Sequence, residues 1–181
     1  SAANVTVTPP IAGKEASYSI AFTTGALPAH EIPASTGYIR ITFPSGTTIP
    51  TTITAADVTI NAVATPSNPT VSGSSVRVMV PSSIAASSPV TLLFALNAGI
   101  KNPTSTTGNL KLKVETGYLV GTTQTVIESA VDSNPYFIGS PATVTPAVPT
   151  DLSTFVEYKV VWKLGNEGAL SKNSGTITLT F

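Results

Sequence analysis

Residues 37–46 carry the sequence GYIRITFPSG, and this stretch decides the fold class. Its apolar residues Ile39, Ile41 and Phe43 alternate with polar ones, and a Pro-Ser-Gly segment then ends the run. Apolar residues at every second position are typical of a β-strand with one buried face, and Pro, Ser and Gly favour a turn. We therefore predict a strand over this stretch, with one face in a core and a turn behind it.

The same pattern recurs along the whole chain. Further alternating sets are Tyr18, Ile20 and Phe22; Val76, Val78 and Val80; Leu110, Leu112 and Val114; Tyr158, Val160 and Trp162; and Ile177, Leu179 and Phe181. Turn-forming segments separate these runs, and helix is expected for at most one turn at residues 54–57 or 83–86. Many short strands with frequent turns predict an all-β fold, an Ig-like antiparallel β-sandwich.

The composition excludes several classes of function. The 181 residues include 9 Lys and Arg, 9 Asp and Glu, and no Cys. Only 10% of the residues are charged, against ~25% in a typical domain, so the 29 Thr and 20 Ser must keep the surface polar. A net charge of zero gives no electrostatic basis for binding nucleic acid. The sequence has no apolar run of the length that a membrane-spanning helix needs.

No group of residues indicates catalysis. The acidic residues are scattered, so we expect them on solvated faces, and the single histidine, His30, argues against a histidine triad or a multi-histidine metal site. The lysines fall out of phase with the apolar positions and should face solvent. The sequence therefore predicts no enzyme, no cofactor and no metal. Among the aromatic residues, only Tyr38 and Tyr118 are expected to be exposed, which is a weak basis for stacking on sugars.

An internal repeat organises the chain. Residues 6–9 match 143–146, residues 18–22 match 158–162, and residues 37–43 match 175–181, at separations of 137, 140 and 138 positions. The chain is thus predicted to hold one β-sandwich module, residues 1–138, followed by a partial second repeat, residues 139–181. The second copy contributes an extra C-terminal strand pair to the fold.

Three segments of the sequence resemble segments of known proteins. Residues 16–25 (ASYSIAFTTG), 39–47 (IRITFPSGT) and 97–103 (NAGIKNP) resemble β-sandwich repeat modules of secreted bacterial surface proteins, including S-layer-like and cell-wall-associated proteins. The resemblance covers residues 5–138 and part of 143–181. It implies a structural, extracellular role and supplies no catalytic residues.

The extra strand pair has a predicted apolar face, which must be buried against another surface. This face comprises Tyr158, Val160, Trp162, Ile177, Leu179 and Phe181. Left exposed, it would be a large adhesive patch. The pair could fold onto its own module, it could pair with a strand of a neighbouring molecule, or the chain could be cut from a longer protein.

We favour pairing between molecules, because both chain ends lack the charges that normally protect edge strands. The first twelve residues carry no charge, and residues 174–181 carry none either. The predicted donor strand comprises Val5, Thr6, Val7 and Thr8. In such β-strand addition the main chain supplies affinity and alternate side chains fill pockets.

Two functions follow as hypotheses. The first is a structural subunit of an extracellular filament or surface polymer, a pilus-like homopolymer at the cell surface that joins copies of itself by donor-strand-like complementation. The second is a binding or spacer module of a larger secreted surface protein, with a cell-wall or surface glycan as a possible partner.

Overall fold

The computed structural model describes residues 2–105, 108–140, 143–146 and 158–161. Two antiparallel five-stranded sheets form the body of the protein, and a separate two-stranded sheet follows. The described residues contain three short 3₁₀ turns, Pro28–His30, Ala55–Asp57 and Leu96–Ala98, and otherwise strands and loops. Among these residues, no helix has the length and apolar character needed to cross a bilayer.

The first sheet has the strand order β1-β2-β8-β4-β5, and the second has the order β10-β9-β3-β7-β6. The strands of the first sheet are β1 (Asn4–Thr8), β2 (Ser17–Thr23), β4 (Val58–Ile60), β5 (Val63–Ala64) and β8 (Pro89–Phe94). Those of the second sheet are β3 (Gly37–Thr42), β6 (Thr70–Ser72), β7 (Ser75–Met79), β9 (Lys113–Val120) and β10 (Thr123–Asp132). The third sheet pairs β11 (Thr143–Pro146) with β12 (Tyr158–Val161).

The core lies between the two five-stranded sheets. Ile20 and Leu92 enter it from the first sheet, and Ile41 and Val78 enter it from the second, all with no exposed surface. Three aromatic rings, Tyr18, Phe43 and Phe94, pack edge to face in the middle, with centroids 5.2 and 5.8 Å apart. One continuous apolar cluster thus runs from Ala3 to Ile138. The predicted all-β sandwich is confirmed, because alternation places one face of each long strand in this layer.

The structure also shows the turns, the exposure of two lysines and the places where a helical turn was expected. The segment 72–75 forms a two-residue hairpin turn between β6 and β7, with Gly73 at φ 58°, and Lys111 and Lys113 are exposed as expected. Of the two places where a single helical turn was expected, 54–57 holds the 3₁₀ turn Ala55–Asp57. At 83–86, Ile84 instead forms an antiparallel bridge with Ile32.

Candidate functional site

The edges of the two main sheets differ in how well they are protected against pairing with another molecule. Two of the four edge strands are very short, since β5 has two residues and β6 has three. A third, β10, is long, but its register with β9 shifts twice, between Val126 and Glu128 and again before Val131. Short strands and irregular pairing both hinder the addition of a further strand. Only β1 combines regular pairing with five uncharged residues.

The open part of the β1 edge is the segment Val5–Thr8. Along its inner side β1 pairs with β2 in continuous register, from Asn4 opposite Ala21 to Thr8 opposite Ser17. On its outer side, residues 134–139 are hydrogen-bonded to the chain before and after this segment, and no described residue makes a backbone hydrogen bond to the outer side of Val5–Thr8 itself. Asn134 donates its backbone N–H to Ala3 O at 2.8 Å, and residues 10–12 bond to Gly139 at 2.7 and 2.8 Å. Within the described ranges, β2 is the only strand neighbour of β1.

The predicted donor residues therefore lie in the sheet of their own molecule. Val7 is buried in the core and Val5 is half-buried against it, whereas Thr6 and Thr8 are exposed. The inner side chains of β1 thus contribute to the core of their own molecule. The donor role of this segment stays a prediction.

A buried asparagine holds the chain directly after β1. The side-chain N–H₂ group of Asn102 donates to Pro9 O at 2.9 Å and to Ile11 O at 2.8 Å. Its Oδ1 accepts a hydrogen bond from the Tyr18 hydroxyl at 2.6 Å. Asn102 is 1% exposed, so these three bonds are made away from water. The sequence did not reveal this role, because the partners lie more than 80 positions away along the chain.

The third sheet repeats the pairing of β1 with β2. Val144 lies opposite Val160, and Pro146 lies opposite Tyr158. In β1 and β2, Val7 lies opposite Tyr18, so the second copy is paired two residues out of the register of the first. The sequence repeat is thus matched by a repeated antiparallel pairing.

The predicted apolar face of the extra strands is described only in part. Tyr158 and Val160 belong to β12. The remaining members, Trp162, Ile177, Leu179 and Phe181, lie outside the described residues, so the predicted cover for this face stays a prediction. Among the described strands, β11 and β12 hydrogen-bond to each other and to neither five-stranded sheet.

The expectation of solvated acidic residues is wrong for Glu115 and Glu128, whose side chains are 14% and 20% exposed. Glu128 accepts hydrogen bonds from Gly25 N at 2.9 Å and from the Thr116 hydroxyl at 3.0 Å. The single histidine, His30, is half-buried, with its Nδ1 3.5 Å from Glu128 Oε1. These contacts join loops and strands distant in sequence. In the described part of the chain, no three His, Cys, Asp or Glu side chains gather where a metal could bind.

The expected exposure of Tyr38 is also wrong. Tyr38 points away from the core, on the outer face of β3, yet it has no exposed surface. Its ring lies across Gly117 on the neighbouring β9, and the side chains of Arg40 and Arg77 cover it from above. Tyr118, the other tyrosine expected to be exposed, is half-buried. Neither residue therefore offers a bare aromatic surface.

No family model, no curated protein and no solved structure matches the chain.

Proposed function

We propose that the protein is a structural subunit of an extracellular filament or surface polymer, in which copies join by β-strand addition. The observation that carries the proposal is the contrast among the sheet edges. Three of the four described edges of the two main sheets are short or irregular, whereas β1 is regular, uncharged and open at Val5–Thr8. An open, regular edge strand is a template for pairing with another chain.

The proposed partner of this edge is the β11–β12 pair of a neighbouring molecule. A two-stranded sheet is only marginally stable in water by itself, so β11 and β12 gain stability by joining a larger sheet. The pair repeats the sequence and the antiparallel pairing of β1 and β2, and it thus has the strand geometry of the first sheet. Added to β1, it would extend that sheet from five strands to seven across the two molecules.

Such a contact joins different surfaces of the two copies. The β1 edge of one subunit meets the strand pair of the next, and each subunit still offers its other surface. A contact of this kind propagates as a filament unless its geometry closes a ring. The extracellular setting of the proposal rests on the low charge, the many hydroxyl residues and the resemblance to modules of bacterial surface proteins.

The test is to place charges on the open edge and measure assembly. In the double variant Thr6→Lys/Thr8→Lys, two exposed positions of β1 acquire lysines, which protect natural edge strands. The matched control Thr123→Lys/Ser129→Lys adds the same charge at exposed positions of the irregular strand β10. Polymer mass is measured by sedimentation, and filaments are observed by negative-stain microscopy.

We expect the wild type and the control to assemble, and the β1 variant to need a concentration about tenfold higher, a loss of about 1.4 kcal/mol per contact. Val160→Lys, which places a charge in β12, should weaken assembly to a similar extent. A wild-type chain that stays monomeric at the highest attainable concentration would refute the filament. Equal assembly of the β1 variant and the control would refute the β1 edge as the joint.

The second candidate function, a binding module of a larger surface protein, is favoured by one observation. Both arginines of the chain meet on the outer face of the second sheet, whereas the β1 edge belongs to the first sheet. If the β1 variant assembles like the wild type but ligand binding by this face is found, the binding module becomes the better description.

A further inference from the structure

The chain has two arginines, and the structure places them side by side. Arg40 on β3 lies directly opposite Arg77 on β7 in the antiparallel register. Like charges at directly opposed positions destabilise a sheet. An arrangement that concentrates both guanidinium groups of the chain at one point therefore needs a compensating interaction.

A buried aromatic ring supports both guanidinium groups. The central carbon of the Arg40 guanidinium lies 5.4 Å from the centroid of the Tyr38 ring, and that of Arg77 lies 5.9 Å from it. A cation within about 6 Å of a ring face is attracted to it. Because Gly117 has no side chain, the Tyr38 ring can lie flat against the sheet at this point. The ring thus restricts where both arginines can point.

The two arginines differ in how their charge is balanced. Arg40 Nη1 lies 3.2 Å from Glu115 Oε1, and its Nη2 donates to Gln124 Oε1. Arg77 donates to the Thr70 hydroxyl at 3.4 Å, and in the described part of the chain no carboxylate lies within 4 Å of it. The nearest lysine on this face, Lys113, is already paired with Asp132 at 2.7 Å. One positive charge therefore remains to be balanced, and it is carried by Arg77.

A groove lined by polar and charged residues opens beside the two arginines. We call it the arginine groove; its volume is about 230 Å³ and it is lined by Arg40, Thr70, Ser72, Ser75, Arg77 and Gln124. Its walls present hydroxyl groups, one amide and the guanidinium groups, with no aliphatic or aromatic residue among them. This surface suits a small ligand that carries many hydroxyls and one negative charge, because each polar group of such a ligand can find a partner.

We propose that the arginine groove binds the carboxylate of a uronic acid residue in an acidic polysaccharide. The planar guanidinium of Arg77 can bind a carboxylate through two parallel hydrogen bonds. The hydroxyls of Thr70, Ser72 and Ser75 and the amide of Gln124 can bond to the sugar hydroxyls. A groove smaller than the ~300–1,000 Å³ of drug-sized pockets holds one sugar ring, and neighbouring rings lie along the exposed sheet face. The proposal stands independently of the assembly of the protein.

The test is calorimetric titration of the full chain with trigalacturonic acid at low salt. The matched neutral ligand is a galactose trimer, and inorganic phosphate serves as an oxyanion without the sugar. Arg77→Gln removes the unbalanced charge. Lys101→Gln is the control, because it removes an equal charge from an exposed lysine on another part of the surface, 3.7 Å from Glu15. Thermal unfolding of each variant checks that the fold is retained.

We expect the wild type and the Lys101 variant to bind the acidic trimer, and Arg77→Gln to bind it about tenfold or more weakly, as for the loss of a charged hydrogen-bonding partner. Arg77→Lys, which keeps the charge but lacks the planar fork, should bind with intermediate strength. Three results would overturn the proposal: no binding of the acidic trimer, equal binding of the neutral trimer, or equal binding by Arg77→Gln. Phosphate binding as strong as that of the trimer would show a general oxyanion site and would overturn the sugar-acid assignment.

Discussion

Two buried tyrosines show how differently the same hydroxyl can act in this core. The Tyr18 hydroxyl donates to Asn102 Oδ1 at 2.6 Å. The Tyr136 hydroxyl is buried too, but no group among the described residues lies within hydrogen-bonding distance of it. The two rings pack edge to face with centroids 6.3 Å apart, so they share one apolar environment. A difference in stability on removing the two hydroxyl groups should therefore come from the hydrogen bond that only Tyr18 makes.

Replacing each tyrosine by phenylalanine should separate the contribution of the hydrogen bond from that of ring burial. Tyr18→Phe leaves Asn102 Oδ1 buried and unpaired, and should lower the free energy of unfolding by about 1–3 kcal/mol. Tyr136→Phe removes a hydroxyl that lacks a partner, and should leave stability unchanged or raise it by up to about 1 kcal/mol. Urea unfolding of the two variants provides the measurement, and equal losses would contradict the assignment.

The same two residues predict a loss of stability in alkali. Burial raises the pKa of Tyr18 above its usual value, and burial together with the neighbouring Tyr18 raises the pKa of Tyr136. The unfolded chain then releases these protons at a lower pH than the folded protein does. Stability is fully present below the ordinary tyrosine pKa of about 10 and is lost as the pH rises above it.

The free energy of unfolding, measured between about pH 9 and about pH 11 (one unit below and one above the ordinary tyrosine pKa), should therefore fall at the upper end of the range. Each tyrosine contributes a slope of up to about 1.4 kcal/mol per pH unit. The double variant Tyr18→Phe/Tyr136→Phe should show a shallower fall, because only the remaining groups titrate. An unchanged slope in the double variant would exclude these tyrosines as the cause.

At the scale of the strands, Gly117 allows β3, β9 and β10 to lie together. A Cβ atom at this position of β9 would overlap the Tyr38 hydroxyl on one side and the Thr125 carbonyl oxygen on the other. The carbonyl oxygen belongs to the main chain of β10 and cannot turn aside. Gly121, in the turn between β9 and β10, has open space around it and φ 63°, so an alanine there meets only backbone strain.

Gly117→Ala should therefore destabilise the fold by about 2–3 kcal/mol through overpacking, and Gly121→Ala by about 1 kcal/mol through its left-handed backbone conformation. Chemical denaturation of both variants gives the comparison. Gly117→Ala should also weaken any ligand binding in the arginine groove, since Tyr38 must move. A Gly117→Ala loss no larger than that of Gly121→Ala would contradict this account.

The sequence predicted the strands that bury one face better than the exposed ones: the longest described strand, β10, whose side chains are mostly exposed or half-buried, was not among the predicted runs. Alternation correctly indicated β2, β3 and β7, because each buries every second side chain in the core. It gave no indication of β5, whose two residues are both exposed. The candidate sites depend on register between distant strands. That Arg40 faces Arg77, or that Asn102 reaches Pro9, follows from which strands are neighbours, and a one-dimensional pattern of apolar residues does not contain that information.

At the scale of the whole molecule, the edges of the two main sheets differ in how well they are protected against pairing with another chain. The short strands β5 and β6 lie at one side of the strand orders, and β1 and β10 at the other. On that other side, Gly139 pairs with residues 10–12 of the N-terminal segment, and Asn134 bonds to Ala3. These contacts join the start of the chain to the end of the module. On this side, Val5–Thr8 is the stretch of β1 to which no such backbone hydrogen bond is made from the described residues.

A joint between unlike surfaces would give the proposed polymer two unlike tips, one presenting a free β1 edge and one presenting a free strand pair. The variant Thr6→Lys/Thr8→Lys would still dock through its unchanged strand pair, but it would hold the next subunit about tenfold more weakly. A small fraction of it mixed with the wild type would therefore introduce points at which fibres end. Mean fibre length, and not only fibre number, would then fall as the fraction of the variant rises.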